Sequence, residues 1–237
     1  MLGFRTLFAI AAILTPAVAH AESPPATDAK YYVLLFGGQA DRTRPQTAHT
    51  WATFVKAIPN PAGDGAVLET FTISWLPVNL PVRPFKLRPV AGRNYSLAET
   101  LDQFEKPRSD VGLWGPFEIR EDWYRSAAEH KRDLDSGTVR FATLDRGPLC
   151  PFSPVRHPDI SHCVHAVTRT WEPLRRATNP VIWYGELITR KVAESARTVG
   201  LLVNPCATHD WLIPALGVDR YRLVRRSIGE PRLALLR

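Results

Sequence analysis

Residues 50–75 read TWATFVKAIPNPAGDGAVLETFTISW and contain two strand-like segments on either side of a turn. Residues 50–57 and 67–75 alternate apolar with polar or β-branched side chains, a pattern typical of β-strands. Residues 59–65 hold two prolines and two glycines and predict a tight turn between them. We therefore predict an antiparallel hairpin. If Ala57 pairs with Ala66 across the turn, Ser74 lies opposite His49 near the far end of the hairpin.

The segments around the hairpin alternate between strand and helix patterns. The aromatic, apolar run 31–36 predicts a buried strand before it. Ser96 and Glu99 form a capping box at the start of a helix that Pro107 ends. Further helices are predicted at 121–134, at 161–171 with Asp159 or Ser161 as the cap, and at 186–197, and short strands at 139–144, 181–184 and 221–224. Because most strands precede most helices, we predict an α+β fold, an antiparallel sheet with helices packed on one side.

The first 21 residues have the pattern of a cleavable signal peptide. Arg5 supplies the positive charge, residues 7–18 are apolar, and Ala19-His20-Ala21 fits a cleavage site. The apolar run is shorter than the roughly 20 residues that a membrane-spanning helix needs. We expect a flexible mature N-terminus at 22–30, one globular domain over 31–237 without a transmembrane segment, and a periplasmic or secreted location.

The composition favours anionic partners. The chain carries 30 Lys and Arg against 23 Asp and Glu, a formal net charge of +7. Such a charge attracts anionic cell-wall or lipid material. The basic residues are scattered rather than clustered, so we expect no specific nucleic-acid binding, and no residue pattern calls for a cofactor.

Three cysteines in an exported chain leave at least one thiol outside an internal disulfide. Cys163 is the candidate nucleophile because it falls in the first turn of the predicted 161–171 helix, where the macrodipole lowers a thiol pKa. His49 is the candidate base, with Ser74 and Glu69 as candidates for orienting its ring. We expect the His49 ring within hydrogen-bond reach of the Cys163 sulfur, and any disulfide to join Cys150 to Cys206.

Two short blocks resemble the circularly permuted papain-like superfamily, which includes lecithin retinol acyltransferase-like proteins and permuted cell-wall amidases. His162-Cys163-Val164-His165-Ala166-Val167-Thr168 is similar to their Asn-Cys-Glu-His-Phe-Val-Thr block. His49-Thr50-Trp51 is similar to their His-Trp strand start. His162 stands in place of the Asn and Val164 in place of the Glu. The resemblance implies a permuted papain-like fold, with Cys163 as nucleophile and His49 as base.

These observations predict an exported thiol-dependent hydrolase or acyltransferase that acts on an amide or ester. One alternative is a non-catalytic exported binding or structural protein, with Cys163 in a disulfide to Cys150 or Cys206 or as an inert buried thiol. A further alternative is a metal site, because His and Cys are ligands that zinc prefers. Its candidate ligands would be His157, His162, Cys163 and His165, joined by His209 and Asp210.

Overall fold

The computed structural model describes residues 28–41, 47–60, 65–80, 82, 88–105, 109–143, 159–171 and 185–231. The strands are β1 (Lys30–Gln39), β2 (Ala48–Pro59), β3 (Ala66–Ile73), β4 (Trp75–Pro77), β5 (Val90–Asn94), β6 (Val111–Ile119), β7 (Arg140–Phe141), β8 (Ile160–Ser161) and β9 (Leu223–Arg226). The helices are α1 (Leu97–Glu105), α2 (Glu121–Asp135), α3 (Cys163–Thr168), α4 (Gly185–Thr198) and α5 (Leu212–Ala215). The predicted α+β class is confirmed.

The main sheet has five strands in the order β3-β2-β1-β6-β9. All neighbours are antiparallel except β6 and β9, which run parallel. Residues 32–38 of β1 are buried without alternation, so β1 is covered on both faces of the sheet. A second sheet has the order β4-β5-β7-β8.

The predicted hairpin is present, but its register differs by two residues. Ala57 pairs with Leu68 rather than with Ala66, and the ladder ends where Ala52 pairs with Ile73. At Ser74 the chain leaves the main sheet, and the next three residues form β4 of the second sheet. The prediction treated 67–75 as one strand because its pattern continues to Trp75. The edge of β2 before Ala52 is therefore not covered by β3.

Helices lie on both faces of the main sheet, which corrects the expectation of helices on one side. Buried residues of α2, α3 and α4 pack with one set of sheet residues, which includes Val33, Leu35, Ala52 and Phe54. Buried residues of α1 and α5 pack on the opposite face, with Leu34, Phe36, Trp51 and Val55 among others. A central strand that is apolar on both sides requires this second layer, because an uncovered face would expose its alternate side chains to water.

The boundaries of α1, α2 and α4 follow the local signals, whereas α3 differs from its prediction and α5 was not predicted. The α1 capping box is confirmed, since Glu99 N–H donates to Ser96 Oγ (3.2 Å) and Ser96 N–H donates to Glu99 Oε2 (2.8 Å). Helix α3 is shorter than predicted, and its N-cap is His162 rather than Asp159 or Ser161. The N–H of His165 donates to His162 Nδ1 (3.4 Å), which takes the place of a hydroxyl or carboxylate cap.

The start of α4 touches the main sheet without intervening side chains. A Cβ atom at Gly185 would overlap the carbonyl oxygen of Gly38 and lie 3.0 Å from the carbonyl oxygen of His49. A Cβ at Gly37 would overlap the Thr189 side chain. Glycine at these positions lets α4 approach the strand that carries His49. No helix in the described part of the chain has the length and apolarity needed to cross a bilayer.

Candidate active site

Cys163 is the first residue of α3 and lies against the uncovered edge of β2. Its sulfur is within hydrogen-bond contact of the backbone N–H groups of Thr50, Val164 and Cys163 itself. The N–H groups of a strand lie in the plane of its sheet. The Thr50 contact therefore places the sulfur beside β2 just before the ladder with β3 begins. Cys163 is a free thiol and is partly exposed.

Burial raises the pKa of the Cys163 thiol above its ordinary value, and the three backbone N–H contacts lower it only in part. This result is opposite to the shift expected from a helix start. Helix α3 has only six residues, so its macrodipole is weak. The desolvation of a thiolate outweighs the amide contacts. At neutral pH the resting thiol is therefore protonated.

His49 lies at the second position of β2 and is 3% exposed. Its ring stacks on the Trp51 indole, with 5.2 Å between the centroids. Trp51 in turn stacks on Phe36 and on Phe104 of α1. Burial lowers the pKa of His49 to about 3, so the imidazole is neutral at physiological pH. A neutral imidazole can accept a proton at one ring nitrogen.

Ser74 holds one nitrogen of this ring. Its Oγ lies 2.8 Å from His49 Nε2, and Ser74 has no exposed surface. The predicted contact between His49 and Ser74 is confirmed, although the predicted register is not. Ser74 reaches the ring from the break between β3 and β4 rather than from a paired strand position. Its hydroxyl also contacts Thr100 Oγ1 of α1 at 2.8 Å.

The other ring nitrogen, His49 Nδ1, is buried and forms no hydrogen bond with any described residue. The predicted hydrogen bond between the imidazole and the Cys163 sulfur is therefore not formed in this structure. The two groups still meet at one point of the chain, because the sulfur contacts the N–H of the residue that follows His49. Both also lie at the same end of β2.

Glu69 is not brought to His49. It lies opposite Lys56 in the hairpin and forms an ion pair with it (3.1 Å) at the exposed edge strand. Lys56 is seven positions along β2 from His49, or about 23 Å at the strand rise of about 3.3 Å per residue. Among the described residues, Ser74 is the side chain that hydrogen-bonds the ring, and Thr100 contacts Ser74 in turn.

Thr100 is a site residue that the sequence reasoning missed. It is fully buried on α1 and belongs to the helix face that also carries Leu97, Leu101 and Phe104. A threonine in the middle of an apolar helix face was the available signal. Such a residue needs a hydrogen-bond partner when it is buried.

The proposed metal ligands do not converge. Among the described residues, no group of three or more His, Cys, Asp or Glu side chains is placed to hold a metal ion. His209 lies near Glu118 (3.7 Å), and Asp210 pairs with Arg225 (2.7 Å). The His162 and His165 rings contact each other, with 3.8 Å between centroids and a tilt of 30° between their planes. His157 lies outside the described residues.

The other two cysteines, Cys150 and Cys206, are the pair predicted to form a disulfide. Cys206 is an exposed free thiol, so it is not in the predicted disulfide with Cys150. Cys150 itself lies outside the described residues, as do the signal-peptide pattern over 1–21 and the predicted strand at 181–184. With Cys163 also free, the alternative that makes it a half-cystine has no support in the structure.

Comparison of the chain with protein-family models, with curated proteins and with solved structures finds no match.

Proposed function

We propose that the protein is an exported thiol-dependent hydrolase or acyltransferase that acts on an amide or ester. The observation that carries the proposal is the contact of the Cys163 sulfur with the N–H of Thr50, the residue next to His49. A nucleophile and a neutral base from distant parts of the chain thus meet at one end of β2. The permuted papain-like resemblance is part of this proposal and supplies the same pair.

The chemistry follows from the protonation states. His49 Nδ1 would take the proton from the Cys163 thiol as the sulfur attacks the substrate carbonyl carbon. The C–N or C–O bond breaks, and the leaving amine or alcohol takes the proton from His49. Water resolves the thioester in a hydrolase, and an acceptor hydroxyl or amine does so in an acyltransferase.

The resting structure lacks the Nδ1–sulfur hydrogen bond, which fits a site completed by substrate. Catalytic hydrogen bonds in ligand-free enzymes are often long and tighten in the substrate complex. Because Nδ1 has no other described partner, a hydrogen bond to the thiol would not compete with another one at that nitrogen.

The proposed setting is the periplasm or the outside of the cell, with anionic cell-wall or lipid material as the partner. The support comes from the signal-peptide pattern of residues 1–21 and the net charge of +7. Cell-wall peptide and lipid esters both carry the amide or ester bond that the mechanism needs.

An activated ester tests the mechanism without knowledge of the natural substrate. Incubation with p-nitrophenyl acetate should place one acetyl group on the peptide that contains Cys163, as read by mass spectrometry. Cys163→Ala should lose this adduct, and His49→Gln should slow its formation by about 100-fold, the lower range for a general base.

Cys206→Ala is the matched control, because Cys206 is an exposed thiol outside the site. It should leave acetylation of Cys163 unchanged and remove background labelling. Release of p-nitrophenol at the same rate by Cys163→Ala and by the unmodified protein would overturn the proposal.

The second candidate is a non-catalytic exported binding or structural protein. Two observations favour it: the raised pKa of the Cys163 thiol and the absence of a hydrogen bond from His49 Nδ1 to any residue in the described ranges. In that case Cys163 and His49 would be core residues, and the acetylation experiment would give equal rates for Cys163→Ala, His49→Gln and the unmodified protein.

A further inference from the structure

Strand β3 lies at one end of the sheet order β3-β2-β1-β6-β9, so it is an edge strand. In an antiparallel ladder the backbone groups of successive residues point alternately to the two sides of the strand. The Asn60 N–H donates across the turn to the Gly65 carbonyl oxygen (3.2 Å), so residues 60 and 65 face each other. Continuing the ladder in steps of two shows that Phe71, which pairs with Phe54, points its N–H and C=O toward β2.

The backbone groups of Leu68, Thr70 and Thr72 therefore point away from β2, to the outside of the sheet. Within the described ranges, no group forms a backbone hydrogen bond with them. The sequence of β3 contains no proline or lysine, the residues that often protect an exposed edge. Three N–H and three C=O groups in this arrangement are a template for another extended strand.

A cavity of about 640 Å³ lies along this edge at Thr70, Phe71 and Thr72. Its other walls come from the end of α2, from the segment at 94–99 and from the turn at 216–221. Helix α2 packs on the same face of the sheet as Phe71, whereas the turn packs on the opposite face. A space with walls from both faces must open at the strand edge itself. Its volume is within the range of about 300–1,000 Å³ that ligand sites occupy.

A single extended peptide segment is the occupant that fits this edge. Outward donors and acceptors recur at every second residue of β3, which is the spacing at which an antiparallel partner strand presents its own. A second copy of the protein would bring its own α2 and its own 216–221 turn into the same space. A peptide brings one strand.

We propose that the outer edge of β3 is a docking site for an extended peptide, which adds to the main sheet as a further antiparallel strand. Antiparallel pairing is slightly more stable per residue than parallel pairing. Peptide side chains opposite Thr70 and Thr72 would lie beside the threonine side chains, and the alternate ones beside the half-buried Phe71 ring. The ligand is therefore a segment that alternates polar or β-branched with apolar residues. The inference goes beyond the proposed function, because these contacts involve neither Cys163 nor His49.

Amide hydrogen exchange, read by NMR of nitrogen-15-labelled full-length protein, compares two sets of N–H groups in one strand. Without peptide, the outer amides of Leu68, Thr70 and Thr72 should exchange faster than the inner amides of Glu69 and Phe71, which are bonded to β2. The probe is the peptide acetyl-Thr-Val-Thr-Val-Thr-Val-Lys-amide. At ten times its Kd it should slow the outer amides about tenfold and leave the inner two unchanged.

Two results of this experiment would overturn the inference. Outer amides that exchange as slowly as the inner ones before peptide is added would mean that the chain itself or a second copy already covers the edge. Outer amides that are not slowed at any soluble peptide concentration would mean that the edge does not accept a strand.

Two methylated peptides with the same side chains separate backbone pairing from side-chain contact. In the antiparallel arrangement the threonine N–H groups of the peptide face β3, and the valine N–H groups face away. N-methylation of the three threonines should abolish the protection, whereas N-methylation of the three valines should keep it. Equal binding of all three peptides would contradict pairing through the backbone.

Thr70→Pro and Thr70→Val are matched protein variants. Proline removes the outward N–H without removing a bond to β2, and edge strands tolerate proline at such positions. Thr70→Pro should weaken peptide binding by about tenfold, on the scale of a lost hydrogen bond, and Thr70→Val should leave the Kd unchanged. A folded Thr70→Pro protein with the original Kd would show that the peptide binds elsewhere. Cys163→Ala should bind the peptide as the unmodified protein does, so the docking site and the thiol chemistry can fail separately.

Discussion

At the scale of single residues, Cys163 and Cys206 offer a comparison within one chain. Both are free thiols, but Cys206 is exposed, whereas burial raises the pKa of Cys163. Because the thiolate is the reactive form, iodoacetamide at pH 7 should modify Cys206 faster than Cys163. The Cys163 rate should still be rising above pH 9, as measured by mass mapping of the two peptides. A Cys163 rate that levels off near pH 7 would contradict the raised pKa.

The sequence pattern identified both Cys163 and His49 as candidate site residues. It predicted the wrong direction for the pKa shift of the Cys163 thiol. A position at a helix start predicts a lowered thiol pKa. The local sequence pattern does not show how many residues the helix has or how deeply its first turn is buried. Because α3 has only six residues and the sulfur is desolvated, the pKa of Cys163 is raised rather than lowered. Burial of one atom depends on elements far away in the chain, which no window around Cys163 contains.

At the scale of elements, the hairpin separates Glu69 from Ser74. Glu69→Gln removes an exposed ion pair with Lys56, which is worth about 0–1 kcal/mol, and should leave acetylation of Cys163 unchanged. Ser74→Ala removes the partner of His49 Nε2 and should slow acetylation by about tenfold, on the scale of about 1.4 kcal/mol per factor of ten. Urea unfolding and the acetyl adduct measure the two effects.

An effect of Glu69→Gln on acetylation as large as that of Ser74→Ala would mean that the edge strand acts on the site. This would contradict the separation of about 23 Å estimated from the strand rise.

The hairpin, α1, α2 and α4 were predictable because each has strong local signals. Strand β6 was not, although it lies next to β1 in the main sheet. Its sequence includes Gly112, Gly115 and Pro116, which locally indicate a loop. The predicted hairpin register was wrong for a related reason. The turn can close with different numbers of residues, and the correct pairing depends on which residues the rest of the core buries.

At the scale of the whole molecule, stability should fall in acid. Burial lowers the pKa values of three histidines, His49 and His165 to about 3 and His130 to about 4. The folded protein keeps these rings neutral, whereas the unfolded chain protonates them near pH 6.5. Their stabilising contribution is therefore complete above pH 6.5 and is lost as the pH falls from there toward their folded values.

Each histidine should remove about 2 kcal/mol from the free energy of unfolding between pH 7 and pH 5. Urea unfolding at the two pH values measures the loss, and a free energy that is equal at both would contradict it. His130→Gln is a control away from Cys163, and it should reduce the pH dependence by one such increment. Arg169 adds to the shift of His130 and Asp133 opposes it.

The overall arrangement could be predicted only as a class. The parallel pairing of β9 with β6 and the separation into two sheets join segments far apart in sequence. The uninterrupted apolar run in β1 did carry information about the second helix layer, since a strand with one solvated face alternates and this one does not.

The contact between α4 and β1 has a consequence for which sequence changes the protein can accept. Gly37 and Gly185 occupy places where even one methyl group would overlap a neighbour. Mutation there cannot be absorbed by a side chain turning away, because the colliding partners include backbone atoms. A substitution would have to displace a helix, and with it the backbone beside His49. Hydrophobic core positions can drift among similar side chains over many generations. These two positions have no similar residue to drift to.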